Sequence, residues 1–164
     1  ALAQTQAGKS VLGTSSKISG ANLYSRLNYW IVACGGQAIS NPPVLQGVEA
    51  PVEAVITLTP TKFTFELEGE PADAANLKLV IQASAPQSNG VTRAYSKAVQ
   101  IGGVLEAVTE VYDLKKDYDE KHSTPNASSP KVFIKYFFVN TVTGEKSGEM
   151  MTMAVLQEDP AAGE

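Results

Sequence analysis

Two periodicities divide the chain. Between positions 19 and 34, Leu23, Leu27, Trp30, Ile31 and Cys34 recur at spacings of three and four, which gathers them on one side of an α-helix. Ser19 is suited to cap the start of that helix, and Gly35-Gly36 supply the left-handed conformation that stops one. Asn41-Pro42-Pro43 breaks any regular element, because proline restricts its predecessor and donates no hydrogen bond, so 37–51 reads as an extended linker. The residues before the helix, 1–18, are small, polar and Gly/Ser-rich with no period that would bury a face, and read as an extended arm.

From position 55 the period becomes two. Residues 55–59 form a first strand closed by Pro60. Phe63, Phe65 and Leu67 alternate with Thr64, Glu66 and Glu68, and Leu77, Leu79, Ile81 and Ala83 alternate with Lys78, Val80 and Gln82, as half-buried antiparallel strands do. Asn89-Gly90 marks a turn, and a weaker strand is expected over 92–101, stopped by Gly102-Gly103. Over 109–122, Val111, Leu114 and Tyr118 stand at helical spacing in a charged stretch, which predicts a short surface helix crossing between sheets. A loop over 123–130 leads to the strongest strand, 131–140. Thr143-Gly144 turns that strand into a last one over about 149–156, and 158–164 reads as a frayed tail. Short strands separated by turn signals, after one helix, predict an antiparallel β-sandwich over 52–157 behind an arm, helix and linker unit over 1–51.

The 131–140 strand is apolar on both faces. Val132, Ile134, Tyr136 and Phe138 share one side, while Phe133, Phe137 and Val139 share the other. An exposed apolar patch of that size is uncommon on a monomer, so both faces need cover. Either the N-terminal helix lies over the outer face, with Leu27 and Trp30 against Phe133 or Phe137, or that face is an assembly interface. A helix from a neighbouring copy would reconcile the two.

At 164 residues and 17.3 kDa the chain is long enough to bury about 70% of its unfolded surface, so a single core suffices without staples. Net charge is −4, and Lys115-Lys116, the one basic pair, sits among acids. Nucleic-acid binding, which needs grouped cations, is therefore disfavoured. Cys34 is the single cysteine, which excludes an internal disulfide and places a small hydrophobe on the helix's apolar face. No stretch reaches the roughly 20 apolar residues of a membrane span. The opening Ala1-Leu2-Ala3 fits equally the end of a cleaved signal, a chain freed of its initiator Met or the start of a processed product.

Candidate chemistry is sparse. The only histidine, His122, precedes Ser123-Thr124-Pro125-Asn126, a loop expected to be too mobile to hold a general base. Gly8-Lys9-Ser10 lacks the glycine that a phosphate-binding loop places five residues earlier, where Ala3 stands. The acids Asp113, Asp117, Asp119 and Glu120 are interrupted by Lys121 with no following glycine, so a solvated helix face with an Asp117–Lys121 pair is expected rather than a calcium loop. Glu66 and Glu68 lie two apart on one strand face, the ordinary place for outward acids. Asn126-Ala127-Ser128 satisfies a glycosylation pattern that matters only in a secretory eukaryotic setting. No enzyme activity, cofactor or metal is expected.

Two resemblances add to this reading. Residues 131–147, with an aromatic strand ending in Val139-Asn140, a turn at Gly144 and then Ser147, look like the penultimate strand, turn and last strand of a fibronectin type III domain. That likeness implies an Ig/fibronectin type III-like sandwich and no function. The second covers nearly the whole chain. Ser19-Gly20-Ala21-Asn22-Leu23-Tyr24-Ser25-Arg26-Leu27-Asn28, then Asn41-Pro42-Pro43, then Val139-Asn140 and Thr143-Gly144, is similar to a group of uncharacterised proteins of bacteria and their phages. This chain lacks the longer polar and helical region expected before the motif. The resemblance implies a phage or prophage structural protein, an auxiliary or decoration component of the virion, whose partners are other virion proteins or copies of itself. Leu23, Tyr24, Leu27, Trp30, Ile31, Phe133 and Phe137 are the expected interface residues. The alternative is a bacterial cell-surface or secreted Ig-like module that binds through loops 86–91 and 122–130.

Overall fold

In the computed structural model, residues 20–41 and 43–159 are described. The arm over 1–18, the Ser19 cap, Pro42 and the end of the tail lie outside the described residues. Gly20–Ala33 forms helix α1, and Leu23, Leu27 and Ile31 are its buried residues. The helix ends as the glycine pair predicts. Gly35 sits at φ +86°, its N–H donates to the Val32 carbonyl, and the Gly36 N–H donates to Ile31, both at 2.9 Å.

Eight strands follow: β1 (Ala54–Leu58), β2 (Phe63–Leu67), β3 (Leu77–Ala83), β4 (Val99–Gln100), β5 (Leu105–Glu106), β6 (Val111–Asp113), β7 (Lys131–Asn140) and β8 (Met150–Val155). A helix, α2 (Lys115–Lys121), lies between β6 and β7. All pairings are antiparallel. One sheet runs β1-β2-β6; in the other, β3 pairs with β7 along one edge and with β4 and β5 along the other, and β8 closes the far side of β7.

The two sheets share one core. Leu58, Phe63, Phe65 and Leu67 of the smaller sheet pack in the same cluster as Leu79, Ile81, Ile134, Tyr136 and Phe138 of the larger. The period-two pattern of β2 and β3 therefore sends Phe63, Phe65, Leu67, Leu79 and Ile81 into this core, while Val80, on the other face of β3, is buried in a second cluster. Phe65 meets Tyr136 edge to face at 4.9 Å, and the Tyr136 hydroxyl donates to the Val52 carbonyl at 2.8 Å. Burial pushes that hydroxyl up to about 12, with the charges of Glu53 and Glu68 adding to the shift.

The middle of the chain departs from the sequence reading. The strand expected over 92–101 shrinks to Val99–Gln100, because a 3-10 turn occupies Tyr95–Lys97. The helix expected over 109–122 is divided. Val111–Asp113 is instead a strand that completes the free edge of β2, and the helix begins only after Leu114. Val111, Leu114 and Tyr118 do stand at helical spacing, but Val111 is 62% exposed while the other two are buried. An unpaired β2 edge outweighs a weak helical period. On α2 the ion pair is Lys115–Asp119 at 2.7 Å rather than Asp117–Lys121.

Candidate functional site: the helix–linker–turn seam

The outer face of β7 is sealed in two pieces. Towards the end of the strand, Trp30 of α1 meets Phe137 edge to face at 5.4 Å, and the Lys146 ammonium stands 4.2 Å over the same ring. Val80, Val139, Cys34 and Val104 complete this second, smaller cluster. Burial pushes the Cys34 thiol up, opposed only by the Lys78 charge, which suits a packing role and not a reactive thiolate. Towards the start of the strand, Phe133 is covered by Tyr95 at 5.1 Å, edge to face.

Polar groups lock the helix to the linker. The Ile39 N–H donates to Asn28 Oδ1 at 2.7 Å, and the Ile39 carbonyl accepts from Asn28 Nδ2 at 3.5 Å and from the Tyr24 hydroxyl. One linker residue is thus gripped on both of its backbone groups by two side chains one helical turn apart. Further along, the buried carboxylate of Glu145 accepts from the N–H groups of Gln46 at 3.0 Å and Gly47 at 2.9 Å, and from the Thr143 hydroxyl at 3.0 Å. These three hydrogen bonds compensate a buried negative charge that has no ion-pair partner among the described residues.

The turn after β7 completes the seam. Asn140 Oδ1 accepts from the N–H groups of Val142 at 2.8 Å and Thr143 at 3.0 Å, which folds the chain back so that Gly144 sits at φ +75°. Its bare Cα lies against the helix backbone. A Cβ at this position would land on the Leu27 carbonyl and come within 2.8 Å of the Leu27 Cα. Glycine is required here twice, by conformation and by approach.

No protein-family model, curated protein or solved structure matches the chain.

The structure brings Trp30 onto Phe137 within a single chain, while Leu23, Leu27 and Ile31 are the buried residues of the same helix and the Tyr24 hydroxyl donates to the Ile39 carbonyl. Phe133 is separate, under Tyr95. Leu23, Leu27, Ile31, Phe133 and Phe137 are buried, Tyr24 and Trp30 partly so. What α1 leaves outward is Tyr29, 62% exposed, and Val32, 55% exposed. Glu145 was not singled out from the sequence, because an acid after Thr143-Gly144 reads as an ordinary solvated turn residue; only its burial shows the role.

The other candidates have structural partners. His122 is not on a mobile loop: its N–H donates to the Tyr118 carbonyl at 2.9 Å and its ring nitrogen lies 3.0 Å from the Ala83 carbonyl. Loops 86–91 and 122–130 lie at the same end of the larger sheet, where Gln87 bridges to Lys131. Among the described residues no group of three or more His, Cys, Asp or Glu side chains is placed to hold a metal ion, and no helix is long and apolar enough to cross a membrane. A cavity of about 410 Å³ opens on the outer face of the larger sheet, lined by Arg93, Tyr95, Ser96, Lys135 and Met151.

Proposed function

We propose that the chain is a non-enzymatic structural component of a phage particle, an auxiliary or decoration protein that works by protein–protein contact. The observation that carries this reading is the convergence of the seam. The helix motif and the turn motif of the phage-protein resemblance both meet the backbone of the linker that joins them. Tyr24 and Asn28 of the helix motif hold the Ile39 backbone, Glu145 beside the turn holds the Gln46 and Gly47 N–H groups, and Gly144 of the turn lies against the helix backbone at Leu27. A pattern of residues that spans the chain and resolves into one packed joint is what a scaffold needs, since its task is to hold surfaces in a fixed relation. Such a joint fixes where α1 sits on the sandwich.

We infer further that the sandwich is of the Ig/fibronectin type III-like kind. Its support is the strand order: β1 pairs with β2 and β2 with β6, while β3 pairs with β7 and β7 with β8, so that the chain passes from one sheet to the other after β2, after β5 and after β6, as Greek-key sandwiches do. The virion reading is tested at the particle. Mass spectrometry of purified phage particles whose genome carries this gene should find the chain at a fixed ratio to the major capsid protein. Its absence from intact particles, or a gene placed among polysaccharide or secretion genes with an export signal upstream, would overturn the virion reading and favour the surface module.

A further inference from the structure

The outer faces of the two sheets carry opposite chemistry. On the smaller sheet, register places Val55 opposite Glu66 and Glu66 opposite Val111, so a row across three strands reads valine, acid, valine. Phe65 and Leu67 point into the core, so Glu66 points away from it, and both valines are more than half exposed. Glu53, Glu68, Glu110 and Asp113 are also exposed on or beside this sheet. On the larger sheet, the cavity lies between the Tyr95 cover and the α1 cover, over the cross-strand pair Lys135–Met151. Arg93 at its rim is exposed and has no ion-pair partner among the described residues. Lys135 is held only loosely, 3.5 Å from Glu149, whose other oxygen is taken by Lys146 at 2.6 Å. Met151, 45% exposed, and Tyr95 give the cavity apolar walls.

We propose that copies of this chain dock head to tail, the Val55–Glu66–Val111 row of one copy seated over the Arg93–Lys135 cavity of the next. The proposal deepens the assembly reading above and rests on it. A second copy is the occupant because the complementary surface lies on the same molecule: an acid between two small apolar groups faces a pair of cations between a methionine and a tyrosine. The two surfaces are on opposite sides of the sandwich, so the contact is heterologous and builds a ring or a row rather than a closed dimer. Two strands of five residues and one of three span at most about 17 by 14 Å. That footprint is far below the ~800 Å² per partner of a stable interface, so a single contact is weak and gains strength by repetition.

Sedimentation velocity of the purified chain over a range of concentrations, in low and in high salt, tests this. Concentration-dependent association at low ionic strength is expected, lost when salt shortens the Debye length to a few ångströms, about 3 Å at 1 M. Arg93→Glu and Glu66→Arg, both at outward side chains, should each weaken association about tenfold or more, since each sets like charges against one another. An equimolar mixture of the two variants should regain it, because each new charge finds its opposite on the other protein. Far-ultraviolet dichroism and Trp30 emission verify that both variants fold. A wild-type chain that stays monomeric under all these conditions, association indifferent to both reversals, or a mixture no better than either variant would overturn the contact. So would a monomeric chain whose cavity takes up inorganic sulfate through Arg93, which would assign the cavity to a free anion. A chain that is monomeric in solution yet present in purified particles sinks this contact alone; absence from particles sinks the virion reading instead.

Discussion

The two faces of β7 are built on different terms. Its inner face joins a core that runs without interruption through both sheets, and Val132, Ile134, Tyr136 and Phe138 are all essentially inaccessible there. Its outer face sets Phe133, Phe137 and Val139 beside Lys131 and Lys135 and has no second sheet to meet. Phe137 is covered by one tryptophan and one lysine, Phe133 by one tyrosine, each delivered by a different segment. The inner face is sealed by the sandwich topology itself; the outer face is sealed by appended parts that need their own fastenings. Asn28, Glu145 and Gly144 are those fastenings.

Substitutions on the two sides should separate accordingly. Phe65→Ala, which opens a hole beside Tyr136 at the centre of the inner core, should cost about 3–5 kcal/mol in urea unfolding and lower the stability of the whole molecule. Gly144→Ala should cost roughly 1–3 kcal/mol, with a different signature. Trp30 emission should shift to the red as α1 leaves its seat, while the sandwich still unfolds cooperatively. If Gly144→Ala instead lowers stability with Trp30 still shielded, the helix is not seated by this approach. Glu145→Gln keeps the shape but replaces one acceptor oxygen with a donor facing backbone N–H groups, and should cost about 1–3 kcal/mol and expose linker amides 46 and 47 to hydrogen exchange.

The smallest effects are those of pH. Burial raises the Tyr118 hydroxyl well above its ordinary value of 10.0, with the Asp119 charge adding to this, and it donates to the Ser84 carbonyl at 2.8 Å. A raised folded value means the stabilisation is complete below pH 10 and declines as pH climbs beyond it. Tyr118→Phe should lose about 1 kcal/mol at neutral pH and flatten the alkaline decline, as thermal melts across pH 8 to 11 would report (the range is roughly that of tyrosine ionisation). At the acid end, burial raises Glu149, but the hydrogen bond and charge of Lys146, with those of Lys135, outweigh it and hold the carboxyl below its ordinary 4.5. That contribution is present above pH 4.5 and lost as pH falls through the lower folded value. The pair is still open to solvent, with side chains 28% and 25% accessible, and Lys146→Met, which keeps an apolar stem over Phe137, should change stability by about 0–1 kcal/mol.

The same contrast explains what was legible in the sequence. β2 and β3 lie where the alternation of Phe63, Phe65, Leu79 and Ile81 places them, and β7 lies where its run of β-branched and aromatic residues places it. Helix α1 was legible for the same reason, through Leu23, Leu27 and Ile31. The region from 92 to 113 was not, because its strands are two or three residues long and are recruited by edges of β2 and β3 that a local pattern does not record. The fastenings were illegible for a related reason. Asn28 and Glu145 are polar side chains in polar stretches, and only the return of the linker past them turns surface residues into buried acceptors. The double apolar face of β7 announced that cover was needed, but not that α1 and the Tyr95 turn would divide the work.

One chain seals its own outer face. Because Trp30 is the sole tryptophan, its emission reports that seal directly. Measured from high concentration down to nanomolar protein, the maximum should stay blue-shifted and unchanged, as it must if the indole rests on Phe137 of its own chain. An emission that moves to that of a solvated indole on dilution, in step with dissociation, would show that the cover comes from a neighbouring copy and would contradict the account.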